Sequence, residues 1–250
     1  MRKIPAPQGK PSVQEDVSSL QRLFAAGRYE DLVVLAGAMT RRLPNNGIAW
    51  KALGVALQRL GRYAEAMDPL IAANRLLVRD PETKTNLGIT LKACGRIGEA
   101  ESSFRQALAV NADYAPALAF LALVLRETGR TDEAVGYFRQ ALRVQPDYPE
   151  ALLELANSYS YLGRAGEAQS CFRRALVSWP DYPEAWGNLG QVLKETTGIP
   201  AALSLLLRYL LIDPDDRLGI RLLLGKTDHA PAPAQASAAE SRMIRPPIPI

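Results

Sequence analysis

The residues able to do chemistry are few, and their spacing does not fit it. One histidine, His229, stands in a stretch rich in Ala, Pro and Ser. A nucleophilic triad needs an imidazole held among packed elements, and a zinc site needs several Cys or His side chains at short intervals. The sequence offers neither arrangement. The stretch Gly219–Thr227 ends in Gly-Lys-Thr, but five residues separate its glycines. A phosphate-binding loop has four there and a strand before it. The regularly placed carboxylates are Asp80, Asp113, Asp147, Asp181 and Asp213. Their recurrence argues for helix capping, in which a carboxylate accepts from the orphan amides of a first turn. No catalytic residue, metal site or cofactor is expected, and the chain reads as a non-enzyme.

The elements that position these residues repeat. Gly61-Arg62-Tyr63-Ala64-Glu65-Ala66, Gly95-Arg96-Ile97-Gly98-Glu99-Ala100, Gly129-Arg130-Thr131-Asp132-Glu133-Ala134 and Gly163-Arg164-Ala165-Gly166-Glu167-Ala168 follow one another at 34-residue intervals. Looser copies stand at Gly27–Leu32 and at Thr197–Ala202. A fixed period of this length marks stacked supersecondary units. Starting the period at Val13 gives units 13–46, 47–80, 81–114, 115–148, 149–182 and 183–216.

Each unit reads as two helices. The first covers about 14 positions and ends at the turn glycine, whose freedom to adopt a left-handed backbone suits the residue after a helix. The second stops near Pro44, Pro146, Pro180 and Pro214. Small and large residues alternate in register. Unit position 8 is small at Gly54, Gly88, Ala122, Ala156 and Gly190, and position 20 is alanine from Ala66 to Ala202. Position 24 is large at Leu70, Phe104, Phe138, Phe172 and Leu206. Small residues let helices approach, and the large one fills the space beside them. The first unit departs from this, with Leu20, Leu32 and Met39 where small residues recur, and Tyr209 replaces alanine in the last.

At 48% hydrophobic and 22% charged, the composition suits a packed protein. The net charge of +4 belongs to the ends. Residues 1–12 contribute Arg2, Lys3 and Lys10 without an acid, and residues 217–250 carry five bases against Asp228 and Glu240. The repeats are therefore slightly acidic, which argues against nucleic acid as a partner. Cys94 and Cys171 fall at different positions of different units, so no disulfide is expected and a reducing compartment fits. The N-terminus has no apolar run behind its charges, and Ala201–Ile212 is too short to span a bilayer. A cytoplasmic location without membrane insertion is the expectation. Residues 1–12 and 227–250 are expected to be disordered tails, with a short capping helix at 217–226.

Trp50-x-x-Leu53-Gly54-x-x-Leu57, Leu152-x-x-Leu155-Ala156-x-x-Tyr159 and Trp186-x-x-Leu189-Gly190-x-x-Leu193, with the Ala and Phe positions that follow, resemble the tetratricopeptide repeat family over about residues 13–216. The resemblance implies an all-α fold, a right-handed α-solenoid of six helix-turn-helix units plus the cap. It implies a protein partner, bound as a peptide segment in a concave groove lined by positions 2, 5, 6, 9, 12 and 13 of each first helix. By that register the groove comprises Lys51, Gln58, Arg59, Thr85, Asn86, Lys92, Phe120, Arg126, Glu154, Asn157, Tyr161, Asn188, Gln191 and Lys194. Gln58, Lys92, Arg126 and Lys194 share position 12 and form a polar-to-basic stripe, suited to an acidic segment or a terminal carboxylate. Members that hold chaperone C-termini need Lys at position 5 and Asn at position 9. Here Lys51 is followed by Val55 and Thr85 by Ile89, which departs from that pattern.

The leading expectation is a non-catalytic interaction scaffold. The alternative is a substrate-presenting arm, or a shortened relative, of a repeat-linked bacterial glycosyl-, methyl- or sulfotransferase. Asn86 and Asn188, each before Leu-Gly, and the join Asp213–Ile220 resemble features of such proteins. The final helix, Ala201 to Ile212, is apolar nearly all round and is expected to offer a surface for self-association or a partner domain.

Overall fold

The computed structural model describes residues 13–180 and 182–198, together with Pro200, Ala202 and Ser204. All regular structure among them is helical. The helices are α1 (Val13–Ala25), α2 (Tyr29–Arg42), α3 (Gly47–Arg59), α4 (Tyr63–Leu76), α5 (Pro81–Ala93), α6 (Ile97–Val110), α7 (Ala115–Glu127), α8 (Thr131–Val144), α9 (Pro149–Tyr161), α10 (Ala165–Ser178) and α11 (Pro183–Thr197). They form two compact units, one holding α1–α5 up to Arg96 and one holding α6–α11 from Ile97. The expectations for residues 1–12, for Asp181 and Asp213, for all of the helix from Ala201 to Ile212 but Ala202 and Ser204, for the cap at 217–226 and for the tail with His229 fall outside the described residues.

The first helices of successive repeats begin at Val13, Gly47, Pro81, Ala115, Pro149 and Pro183, and local chemistry explains several of these starts. Proline occupies the first turn of α5, α7, α9 and α11, where its missing N–H costs nothing. Asn46 caps α3 by accepting from the Ala49 N–H at 3.1 Å. Asp80 caps α5, accepting from the Glu82 N–H at 3.2 Å and the Thr83 hydroxyl at 2.5 Å. Asp113 and Asp147 do not cap. They are exposed and stand one residue too early, because Tyr114 and Tyr148 hold the capping positions of α7 and α9 without a side-chain capping bond. Tyr148 is instead buried, so packing of the ring has displaced capping by the acid.

The turns close in one recurring way. At the end of α3, Gly61 has φ +73°, its N–H bonds to the Gln58 carbonyl, and the Arg62 N–H reaches back to Leu57 at 2.8 Å. This satisfies two carbonyls that the helix leaves open, and it needs a residue at ease with positive φ. The arginine after the glycine then pairs with an acid three residues on: Arg28 with Asp31, Arg62 with Glu65, Arg130 with Glu133 and Arg164 with Glu167. These pairs are exposed and contribute little stability. Trp50 and Trp186 secure the loop before their helices by donating to the carbonyls of Pro44 and Pro180, at 2.8 and 2.6 Å.

In the first unit α2 packs on α1 and α3, and α4 on α3 and α5. Leu20, Leu32 and Met39, the large residues of the first repeat, are fully buried with Ala36, Ala49, Ala52 and Ala56. Gly54 shows why position 8 is small. A Cβ there would lie 2.5 Å from Cγ of Leu70, the large residue at position 24. In the second unit α6 packs on α7, α8 on α7 and α9, and α10 on α9 and α11. Phe104, Phe138 and Phe172 are fully buried beside alanines such as Ala100, Ala134 and Ala168. Each such ring contributes about 1.5–3 kcal/mol by leaving water.

Candidate peptide-binding face

The fourteen side chains assigned to a groove all lie on odd-numbered helices, but burial divides them. Lys51, Gln58, Thr85, Asn86, Phe120 and Glu154 are buried. The reason is that odd-numbered helices of successive repeats touch: α3 meets α5, α7 meets α9, and α9 meets α11. Polar groups facing that contact must pair there or lose free energy.

In the first unit they pair across one repeat. Lys51 on α3 lies 2.5 Å from Glu82 and 3.1 Å from Asp80, at the start of α5. Burial pushes the Glu82 carboxyl above its ordinary range, against the pull of Lys51. Burial acts the same way on Asp80, but the Thr83 hydroxyl and Lys51 outweigh it and hold that carboxyl below its ordinary range. Gln58 donates to the Asn86 carbonyl and to the Thr90 hydroxyl, each at 2.6 Å. Thr85 donates back to Pro81 within its own helix. The Arg59 guanidinium sits 5.6 Å from the centre of the Phe24 ring, a cation–π contact between α3 and α1. Lys92 is half-buried in the last turn of α5.

The second unit shows the same economy. Arg126 on α7 lies 2.8 Å from the carboxylate of Glu154 on α9. The approach is off the hydrogen-bonding direction, so the attraction is ionic. Burial pushes the Glu154 carboxyl up, while Arg126 and the Asn157 amide pull it part of the way back. Asn188 on α11 donates to Asn157 on α9 at 2.8 Å. Phe120 is buried and stacks on Phe104 with centroids 5.8 Å apart and planes 14° apart. The expected stripe at position 12 therefore resolves into two kinds of residue. Gln58 and Arg126 tie one repeat to the next, and Arg126 is not the free cation that the stripe implied.

What remains open is concentrated on α9 and α11. Tyr161 is 78% exposed in the last turn of α9. Lys194, half-buried near the end of α11, has no ion-pair partner among the described residues. Gln191 is exposed and donates to Glu195 at 2.5 Å. Asn188 keeps its amide oxygen free to accept. These groups offer an aromatic face, a cation and amide chemistry, with no nucleophile–base pair among them. Among the described residues no group of His, Cys, Asp and Glu could hold a metal ion, and no helix is long and apolar enough to cross a membrane.

Comparison with known proteins gives the same architecture. Residues 80–147 and 149–192 match two tetratricopeptide repeat family models. No curated protein matches the chain at a significant level. Among solved structures, the Cut9–Hcn1 heterotetramer of the APC/C aligns with TM-score 0.74 and 16% identity over 84% of this chain. This chain spans 42% of that one. PilF of Pseudomonas aeruginosa aligns with TM-score 0.73 and 18% identity, covering 86% of this chain and 97% of its own. YrrB, described as a tetratricopeptide repeat protein with an unusual peptide-binding site, aligns with TM-score 0.60 and 19% identity, covering 77% and 98%. With its 34-residue period, its helix pairs and these matches, the chain carries tetratricopeptide repeats.

Proposed function

We propose that this protein is a non-catalytic interaction scaffold, and that an extended segment of a partner protein docks on the exposed face of α9 and α11. The observation that carries the reading is Tyr161, a large ring left 78% exposed on a face whose other polar groups are largely spent on one another. A tyrosine offers contact area at low entropic cost and a hydroxyl for bonding. Lys194 would meet a carboxylate of the segment, and the Asn188 amide oxygen would accept from its backbone.

A random peptide library displayed on phage and selected on the full chain tests this. Selected peptides should bind in extended form and lose at least tenfold in affinity with Tyr161→Ala or Lys194→Glu, as truncation of a central aromatic anchor does. Unchanged affinity in both variants would overturn the assignment of this face.

A further inference from the structure

A second surface lies on the even-numbered helices of the second unit. An open hollow of about 290 Å³ sits where α8 and α10 pass over α9. Its floor is apolar: Leu142 of α8, Leu155 and Tyr159 of α9, and Cys171 of α10. Its walls carry Arg139 and Arg143, one turn apart on α8, and Arg174 on α10. All three guanidiniums are exposed, and none forms an ion pair or hydrogen bond through its side chain among the described residues. Two other arginines on this side are ion-paired, Arg105 with Glu101 and Arg130 with Glu133 and Glu101. The one acid at the hollow, Glu167, is already held by Arg164 at 2.7 Å, and Arg164 in turn covers the Tyr159 ring at 4.6 Å. Three cations thus converge on an apolar floor with no carboxylate left to neutralise them.

We infer that this hollow docks an acidic segment of a partner protein, with one leucine or phenylalanine seated on Leu142, Leu155 and Tyr159 and flanking glutamate or aspartate side chains paired with Arg139, Arg143 and Arg174. The volume decides the form of the ligand. It is at the lower limit of small-molecule pockets, and it suits one or two apolar side chains rather than a whole organic ligand. Guanidinium groups match carboxylates in planar, two-pronged geometry, so charge complementarity selects the flanking residues. This site is separate from the α9–α11 face and stands whether or not that face binds peptide.

The probe is the fluorescein-labelled peptide Glu-Glu-Leu-Phe-Glu-Glu, titrated against the full chain by anisotropy at low and at physiological salt. Binding should persist at physiological salt and fall at least tenfold when Arg139, Arg143 and Arg174 are together changed to Glu. The same change to Gln, which keeps the side chains long and polar, should give a smaller loss in the same direction. A peptide with Ser in place of Leu and Phe should also lose at least tenfold, while Tyr161→Ala and Lys194→Glu should leave binding unchanged. No binding at millimolar protein, equal binding by the Arg→Gln variant, or equal binding of the Ser peptide would each overturn the inference.

Discussion

The Arg126 guanidinium stands 2.8 Å from the Glu154 carboxylate, and the acid is the more deeply buried of the two, with its side chain 4% exposed against 27% for the arginine. The pair therefore joins α7 to α9 at unequal cost: Glu154 has lost its water, whereas Arg126 keeps some. Removing the arginine strands a desolvated carboxylate, which is costly for a buried pair. Arg126→Ala should lower stability by about 2–3 kcal/mol, and Arg126→Glu by more, since it sets a second acid beside the first. Urea denaturation measures both losses. Charge reversal at Arg126 is for that reason a test of folding and not of partner binding.

Glu154 also sets a pH dependence. Its carboxyl titrates above the ordinary value of 4.5 in the folded protein, through burial first. The folded state then holds a proton that the unfolded chain releases. Stability from this group is complete below pH 4.5 and is lost as pH rises through the folded value. Stability curves of Glu154→Gln and the native protein should converge at low pH, with the native protein declining more on the way to pH 7. Parallel curves across that window would contradict the assignment.

Two glycine substitutions should fail for different reasons. Gly61→Ala meets no atom within 4 Å, but φ is +73° there, so it should cost about 1 kcal/mol through the backbone alone. Gly54→Ala keeps a helical backbone but drives a methyl into Leu70, and overpacking costs about 1–3 kcal/mol. Pairing each with Leu70→Val separates them by thermal melts: Leu70→Val should recover part of the loss for Gly54→Ala and none for Gly61→Ala.

Gln58→Leu should destabilise the first unit by about 1–3 kcal/mol. It removes the buried donor shared by the Asn86 carbonyl and the Thr90 hydroxyl, leaving the carbonyl with its helical bond alone and the hydroxyl without the bond it accepts across the repeats. Tyr161→Ala, in contrast, should change stability by less than about 0.5 kcal/mol, because the ring is mostly in water already. Hydrogen exchange across α5 should rise in the first variant and not in the second.

The helices and the family were legible because glycine, proline and alanine report backbone needs that any copy of the unit must meet. Gly61, Pro81 and Ala100 mark a turn, a first helical turn and a close approach whatever surrounds them. The fate of the polar face was less legible. Position 12 says where Gln58 and Arg126 sit on their own helices, but their partners lie in the following repeat at residues the period leaves variable. Asn86, Thr90 and Glu154 share no residue type, so nothing in the register announced them. Tyr114 and Tyr148 similarly took the capping positions that the neighbouring aspartates were expected to fill. The three arginines over Leu142, Leu155 and Tyr159 passed unnoticed because exposed arginines on a second helix are ordinary. The signal was the absence of an acid three or four residues from Arg139 or Arg174.

The links from Gln58 to Thr90, from Arg126 to Glu154 and from Asn188 to Asn157 have a further meaning for how such an array can be rebuilt. A perfectly regular array would accept its modules in any sequence, like beads on a string. Here each junction has acquired its own lock and key: an amide into a hydroxyl, a guanidinium into a carboxylate, an amide into an amide. Transplanting residues 115–148 to the place of 47–80 would set Arg126 against Asn86 and Thr90, and would strand a charge where a neutral donor belongs. The order of the modules is thus encoded in the chain, and grafts that respect the period but ignore the junctions should not assemble.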